Sequence, residues 1–200
     1  MKAVDKVTPE NVSVWTMDLQ SVLMCPKTKA SAMYYRTKLV VHNMTYFNLK
    51  TKEGFCYVYD ESNADLSSQM FGFLHHNHFS RYLDANPDVS NVVIWSDGCG
   101  YQNKCVTIAN SLLQLVVEKK MPIEQKFLTP GHTQMECDAM HSLIERRTKC
   151  EYLHAQGIHA GNGNSQGNTI CLQSNRGPIF RYQKVVKRLF EVGSSREERK

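Results

Sequence analysis

Apolar residues in this chain form short runs with two kinds of spacing, and the alternation between them outlines the fold. From Asn11 to Met24 the segment NVSVWTMDLQSVLM mixes β-branched, aromatic and apolar residues until Cys25-Pro26-Lys27 stops it, which predicts a first strand. Lys38–Thr51 and Gly54–Asp60 are β-rich runs split by the turn-like Lys52-Glu53-Gly54, the pattern of a hairpin. Asn63-Ala64-Asp65 then opens a longer stretch in which Leu66, Met70, Phe73, Leu74, Tyr82 and Leu83 recur at helical spacing, ended by Asn86-Pro87. NVVIWSDG (Asn91–Gly98) is nearly all apolar and suits a strand buried on both faces. A helix over VTIANSLLQLVVEKK, a strand over Pro122–Thr129 and an amphipathic helix over His132–Lys149 complete the series.

The predicted order is β-β-β-α-β-α-β-α: three antiparallel strands, then two crossover units, giving an α/β fold with a mixed five-stranded sheet flanked by helices. Beyond Cys150 the character changes. AQGIHAGNGNSQGNT is Gly/Asn-rich and loop-like, RYQKVVKRLFEV is a short basic amphipathic stretch and GSSREERK a polar tail. The expected organisation is an N-terminal extension (1–11), one domain (12–150) and a loop with a basic appendage (151–200).

Composition narrows the class. With 42% hydrophobic and 22% charged residues over 200 positions, the chain can bury one core, and disorder is excluded. No run approaches the roughly 18 apolar residues of a membrane span. The start, MKAVDKVTPENVSVW, has no apolar run of the signal-peptide kind, so a nuclear or cytoplasmic location is expected rather than secretion. The seven cysteines include no CxxC pair and read as reduced thiols. Lys and Arg number 24 against 19 Asp and Glu, a modest excess compatible with a polyanionic partner.

Two acids interrupt apolar strands. Asp18 lies inside the first strand and Asp97 ends the fourth just before a glycine. A carboxylate among apolar residues is costly unless something pairs with it. If the first and fourth strands are neighbours, both can converge on a divalent cation; the plainer alternatives are an edge residue and the turn residue of an Asp-Gly pair. A third acid would come from the last helix. Taking Asp138 as origin at 100° per residue, Glu145 falls about 20° away, His141 about 60° and Glu136 about 160°. Glu136 fits a capping box with Thr133. Met140, Leu143 and Ile144 would face the sheet, leaving Asp138, His141 and Glu145 as a polar edge, which read alone is more often a solvated helix face than a site.

With these acids in place, the element order resembles the ribonuclease H-like fold of DDE transposases and integrases. More closely, Ser96-Asp97-Gly98-Cys99-Gly100-Tyr101-Gln102-Asn103-Lys104 and the run from Gly131-His132-Thr133 through Asp138 and His141 to Ile144-Glu145-Arg146 resemble a transposon-derived eukaryotic family of otherwise unknown function. That family carries Ser-Asp-Asn-x-x-Gly-Gln-Asn, then Gly-His-Ser/Thr with an Asp and an Ile-Glu. The likeness spans about residues 12–150. Gly98 stands where the pattern usually has Asn, which leaves the acid intact but removes a candidate hydrogen bond to it.

The resemblance implies two Mg²⁺ or Mn²⁺ ions roughly 4 Å apart, activating water or a DNA 3′-hydroxyl for in-line phosphoryl transfer. Asp18 would bridge, Asp97 would bind one ion, and Asp138 or Glu145 would complete the second site, with Asp138 favoured. Gln102, Asn103 and His132 would contact the phosphate. DNA would be held mainly through backbone charge by Arg146, Arg147, Lys149, Arg181, Lys184, Lys187 and Arg188. A homo-oligomer is compatible with this reading, and no membrane partner is expected.

Other chemistry finds less support. His75, His76 and His78 fit no standard zinc spacing and read as helix-packing or solvent-facing residues. Nothing marks a cysteine as an activated nucleophile. The Tyr/Phe cluster from Tyr34 to Tyr59 could stack bases, but core pairing is the commoner use. The competing class is a domesticated, inactive transposase relic that binds nucleic acid or protein without chemistry. No Cys₂His₂ finger or helix-turn-helix for DNA-end recognition is visible.

Overall fold

The computed structural model describes residues 9–25, 38–129 and 134–147, together with the backbone of 169–172 and 180–184. The strands are β1 (Val12–Leu19), β2 (Leu23–Cys25), β3 (Leu39–Asn48), β4 (Gly54–Asp60), β5 (Asn91–Ser96), β6 (Ile123–Phe127), β7 (Thr169–Leu172) and β8 (Phe180–Lys184). The helices are α1 (Ser68–Ala85), α2 (Val106–Lys119) and α3 (Glu136–Arg147). One mixed sheet results, in the order β6-β5-β1-β3-β4-β8-β7, with β2 paired to β3. β1, β3 and β4 are antiparallel, whereas β1, β5 and β6 run parallel. The chain is therefore α/β with a mixed sheet, as expected.

Three strands exceed the predicted five. The expected first strand is two, because the chain breaks step with β3 between them. Leu19 pairs with Met44 and Leu23 with Val41, so four residues advance on one side against three on the other. That offset has the character of a bulge. Gln20, at the break, is buried, and its side chain is held by Asn43 and by α3. β7 and β8 lie in the segment read as loop and basic stretch. Phe180-Arg181-Tyr182-Gln183 alternates apolar and polar at period two, a strand signal obscured by the basic residues that follow. β8 runs parallel to β4 and covers an edge that would otherwise be open.

Period-two alternation sends each central strand's residues to two different cores. Trp15, Met17, Met44, Tyr46, Tyr57 and Ile94 meet Phe71, Leu74 and Phe79 of α1 and Ile108 and Leu115 of α2. Val14, Val41, Cys56, Val58, Val93 and Trp95 meet Cys137, Met140 and Ile144 of α3 on the other face. Burial of each large side chain contributes about 1.5–3 kcal/mol. The helices α1 and α2 pack closely where α1 carries Gly72, whose carbonyl accepts from Ser111 Oγ at 2.6 Å; a Cβ at Gly72 would sit 3.3 Å from the Ser111 Cβ.

Local signals act slightly away from their predicted places. α1 starts at Ser68, a few residues past the predicted opening at 63–65, and Ser67 caps it by accepting from the Met70 N–H at 3.3 Å. The β3–β4 turn is tied by Asn48 Oδ1, which accepts from the Lys50 and Thr51 N–H groups, and Lys52 takes the left-handed φ of 61°. Among the described residues no helix is long and apolar enough to cross a membrane.

Candidate metal centre

Asp18 and Asp97 leave adjacent parallel strands at their C-terminal ends. Thr16 pairs with Trp95, and the same register carried on by two residues brings Asp18 beside Asp97, on the face that α3 covers. Asp97 is held by the loop that follows it: its Oδ1 accepts from the Cys99 N–H at 3.3 Å and from Asn103 Nδ2 at 2.5 Å. The support absent at Gly98 thus comes from Asn103, five positions further along. A Cβ at Gly98 or Gly100 would meet nothing within 4 Å, so the loop is open on its outer side.

Of the acids on the last helix, Asp138 is the one that lies with Asp18. Helix α3 begins at Glu136, later than predicted, which makes Asp138 the residue that reaches back: its Oδ2 accepts from the Met135 N–H at 2.7 Å. Asp138 thus makes the back-reaching contact of a capping box at Met135. Thr133 and His132 lie outside the described residues. Ligand atoms of Asp18, Asp138 and His141 all fall within 4.8 Å of one another. His141 Nδ1 is 3.9 Å from Asp18 Oδ2, and its Nε2 is 3.0 Å from Thr45 Oγ1. Glu145 points elsewhere along the same edge, with Oε1 at 3.5 Å from Gln20 Nε2.

Electrostatics follow from this crowding. Burial, the Asp97 charge and the Asp138 charge push the Asp18 carboxyl up from 3.8 to about 7, against the backbone N–H of Leu19 that favours its anion. Among the described residues, no lysine or arginine forms an ion pair with Asp18, Asp97 or Asp138. Burial lowers the His141 imidazole below its ordinary value despite the pull of Asp138 and Glu145. Such a pocket collects oxygen donors and one imidazole, a donor set suited to a divalent cation.

Of the expected phosphate contacts, Asn103 serves Asp97, and its backbone carbonyl accepts from Gln125 Nε2 at 2.7 Å. Gln102 is buried with its amide 3.0 Å from the Tyr101 hydroxyl, on the side toward α1 rather than the acids. Arg146 is exposed, its Nε donating to the Ser142 carbonyl at 3.2 Å; Arg147 ends α3, and Arg181 and Lys184 fall on β8. Lys149, Lys187 and Arg188 lie outside the described residues.

Beneath the acids runs a buried polar strip that the sequence reading missed. Asp18 is paired across strands with Thr45. Thr45 Oγ1 receives Asn43 Nδ2 at 3.3 Å, and Asn43 Nδ2 also donates to Gln20 Oε1 at 2.9 Å. Gln20 Nε2 donates in turn to the His141 carbonyl at 3.3 Å, and Thr16 Oγ1 lies 3.5 Å from Cys137 Sγ. A signal existed: Asn43 and Thr45 interrupt an apolar strand at period two, as Asp18 does in β1.

The other reactive residues are structural. His75 and His78 are buried against the aromatic core, His75 Nδ1 at 2.6 Å from the Tyr46 hydroxyl and His78 Nδ1 at 2.9 Å from that of Tyr57. His76 pairs with Glu118 at 2.9 Å. Cys25, Cys56, Cys99, Cys105 and Cys137 are unbridged, and burial holds Cys56 and Cys137 as protonated thiols. No protein-family model and no curated protein matches the chain.

Proposed function

We propose that the chain is a ribonuclease H-like, DDE-type domain that cleaves and transfers DNA phosphodiester bonds with Mg²⁺ or Mn²⁺. The observation that carries the reading is the gathering of Asp18 with Asp138 and His141, with Asp97 beside Asp18 on the adjacent strand; burial and the charges of Asp97 and Asp138 raise the Asp18 carboxyl to about 7. Carboxylates gathered this way repel one another, and a divalent cation is what would reverse that cost. The central order β4-β3-β1-β5-β6, with antiparallel and parallel halves meeting at β1, supports the fold reading.

Asp18, Asp97 and Asp138 would hold the cation, which when bound supplies activation of the attacking hydroxyl and stabilisation of the leaving oxygen. Asn103 fixes the Asp97 carboxylate through its short hydrogen bond, so that the acid is preorganised before any ligand arrives. The open Gly98–Gly100 loop leaves backbone room for a phosphate beside Asp97. A net charge of +5, with Arg146 exposed at the end of α3, favours a polyanion over a neutral substrate.

The test is cleavage of supercoiled plasmid and of short duplex DNA by the full chain, with Mg²⁺ or Mn²⁺ and with chelator. Cleavage that needs the cation and disappears in Asp97→Asn is the expected result. DNA binding without any cleavage, in wild type and variant alike, would favour the inactive relic instead.

A further inference from the structure

The geometry points to His141 as a nitrogen ligand of the same centre, oriented by the Thr45 hydroxyl, which makes the site prefer Mn²⁺ over Mg²⁺. This rests on the metal-binding reading above and goes beyond an all-carboxylate site. His141 is 8% exposed and presents two nitrogens to two different surroundings. Nε2 faces Thr45 Oγ1 at 3.0 Å, while Nδ1 faces Asp18 across 3.9 Å, too far for a hydrogen bond. With metal–ligand bonds of about 2.1 Å, adjacent octahedral donors lie about 3.0 Å apart and opposite ones about 4.2 Å. The Nδ1–Asp18 separation falls between these values, so both atoms reach one ion with small side-chain rotations.

A chain of donors anchored on a backbone carbonyl accommodates the tautomer that this ligand role requires. The His141 carbonyl can only accept, so Gln20 must turn its NH₂ toward it; Gln20 Oε1 then accepts from the Asn43 NH₂, which also donates to Thr45 Oγ1. The Thr45 hydroxyl proton has an outlet in Cys56 Sγ, 3.7 Å away, which leaves a lone pair on Oγ1 for His141 Nε2–H. Nδ1 then carries its lone pair into the site beside Asp18 and Asp138. An imidazole donor adds more affinity for later first-row ions than for Mg²⁺, which favours oxygen ligands.

Pulsed electron paramagnetic resonance on the full chain loaded with Mn²⁺ tests this directly, because a coordinated ¹⁴N modulates the echo. Wild type should show a directly bound nitrogen that disappears in His141→Ala and in His141→Gln, while Mn²⁺ still binds through the aspartates roughly 10–100-fold more weakly. Thr45→Val should weaken Mn²⁺ binding about tenfold and Thr45→Ser should restore it, an outcome that loss of packing alone would not give. Bound Mn²⁺ without nitrogen coupling, or coupling that survives in a folded His141 variant, would overturn the assignment and leave the carboxylate site standing. A wild-type chain that binds no Mn²⁺ would overturn both.

Discussion

Strand β3 sends Tyr46 to one side of the sheet and Thr45 to the other, and the histidines that meet them have opposite characters. On the α1 face His78 stacks on Tyr46 with ring centroids 4.1 Å apart and lies edge-on to Trp15, within an aromatic and aliphatic core. Burial pushes its imidazole well below the ordinary value and that of His75 to about 4, so both are neutral packing elements. On the α3 face His141 sits among Thr45, Asp18 and Asp138, over the paired central strands β1 and β3. The difference teaches that one side chain becomes structural or ligand-ready through the groups its second nitrogen faces. An aromatic core gives that nitrogen nothing to bind jointly with, whereas two carboxylates place it in a cluster of donors that one cation could share.

The largest expected effect separates the faces by function. Asp18→Asn should lower metal-dependent cleavage by roughly 10³-fold, about 4 kcal/mol of transition-state stabilisation. The metal-free variant should melt higher than wild type at pH 8, since it loses a buried charge repelled by two others. Scanning calorimetry and the plasmid assay read both quantities, and a variant that loses stability along with activity would mean that Asp18 is structural. Leu74→Ala on the opposite face is the counterpart. Leu74 is fully buried, so truncation should cost about 3 kcal/mol in urea unfolding while leaving kcat per folded molecule within about twofold. A kcat collapse at intact stability would show the two faces to be coupled.

Acid titration distinguishes the faces by sign. His75, held down from 6.5 to about 4, contributes stability that is complete above pH 6.5 and is lost as pH falls through 4. Asp18, held up from 3.8 to about 7, contributes stability that is complete below pH 3.8 and is lost as pH rises through 7. Between pH 4.5 and 6.5 the two slopes oppose each other and partly cancel. For the metal-free protein, His75→Gln should therefore tilt unfolding free energy toward higher stability in acid, and Asp18→Asn should tilt it the other way, each by about 1–3 kcal/mol across the window. Tilts of the same sign would contradict the assigned environments.

Where the sequence was legible, the chemistry of a residue clashed with its local pattern. Asp18 and Asp97 stood out as charges in apolar runs, and their proximity followed once β1 and β5 became neighbours. His141 was visible on the helix edge, but its partner Thr45 sits on a distant strand, and nothing local announces a contact made only by packing α3 on β3. The shift of the α3 start to Glu136 was illegible for a related reason. The helix opens where Met135 and Cys137 enter the core, a placement set by tertiary packing, and Asp138 then reaches back to the Met135 N–H. β7 was hidden by composition: the Gly/Asn-rich run before it carries no strand periodicity, and the pairing that stabilises it is with β8.

The smallest expected effect concerns which acid of α3 belongs to the proposed metal site. Asp138 shares a cluster with Asp18 and His141, whereas Glu145 is exposed and lies 3.5 Å from Gln20 Nε2, two helical turns along. Glu145→Gln keeps the size and the hydrogen-bonding capacity at Gln20 while removing an exposed charge, a change typically within 1 kcal/mol. Cleavage in Glu145→Gln should stay within about threefold of wild type, and Mn²⁺ affinity should change no more. Asp138→Asn should instead lose cleavage as Asp18→Asn does, with some loss of helix stability because its carboxylate also caps α3 at the Met135 N–H. The reverse ranking, with Glu145→Gln inactive and Asp138→Asn merely less stable, would move the third ligand down the helix and reduce Asp138 to a cap. It would also separate the metal from His141, because His141 gathers with Asp138 and Asp18.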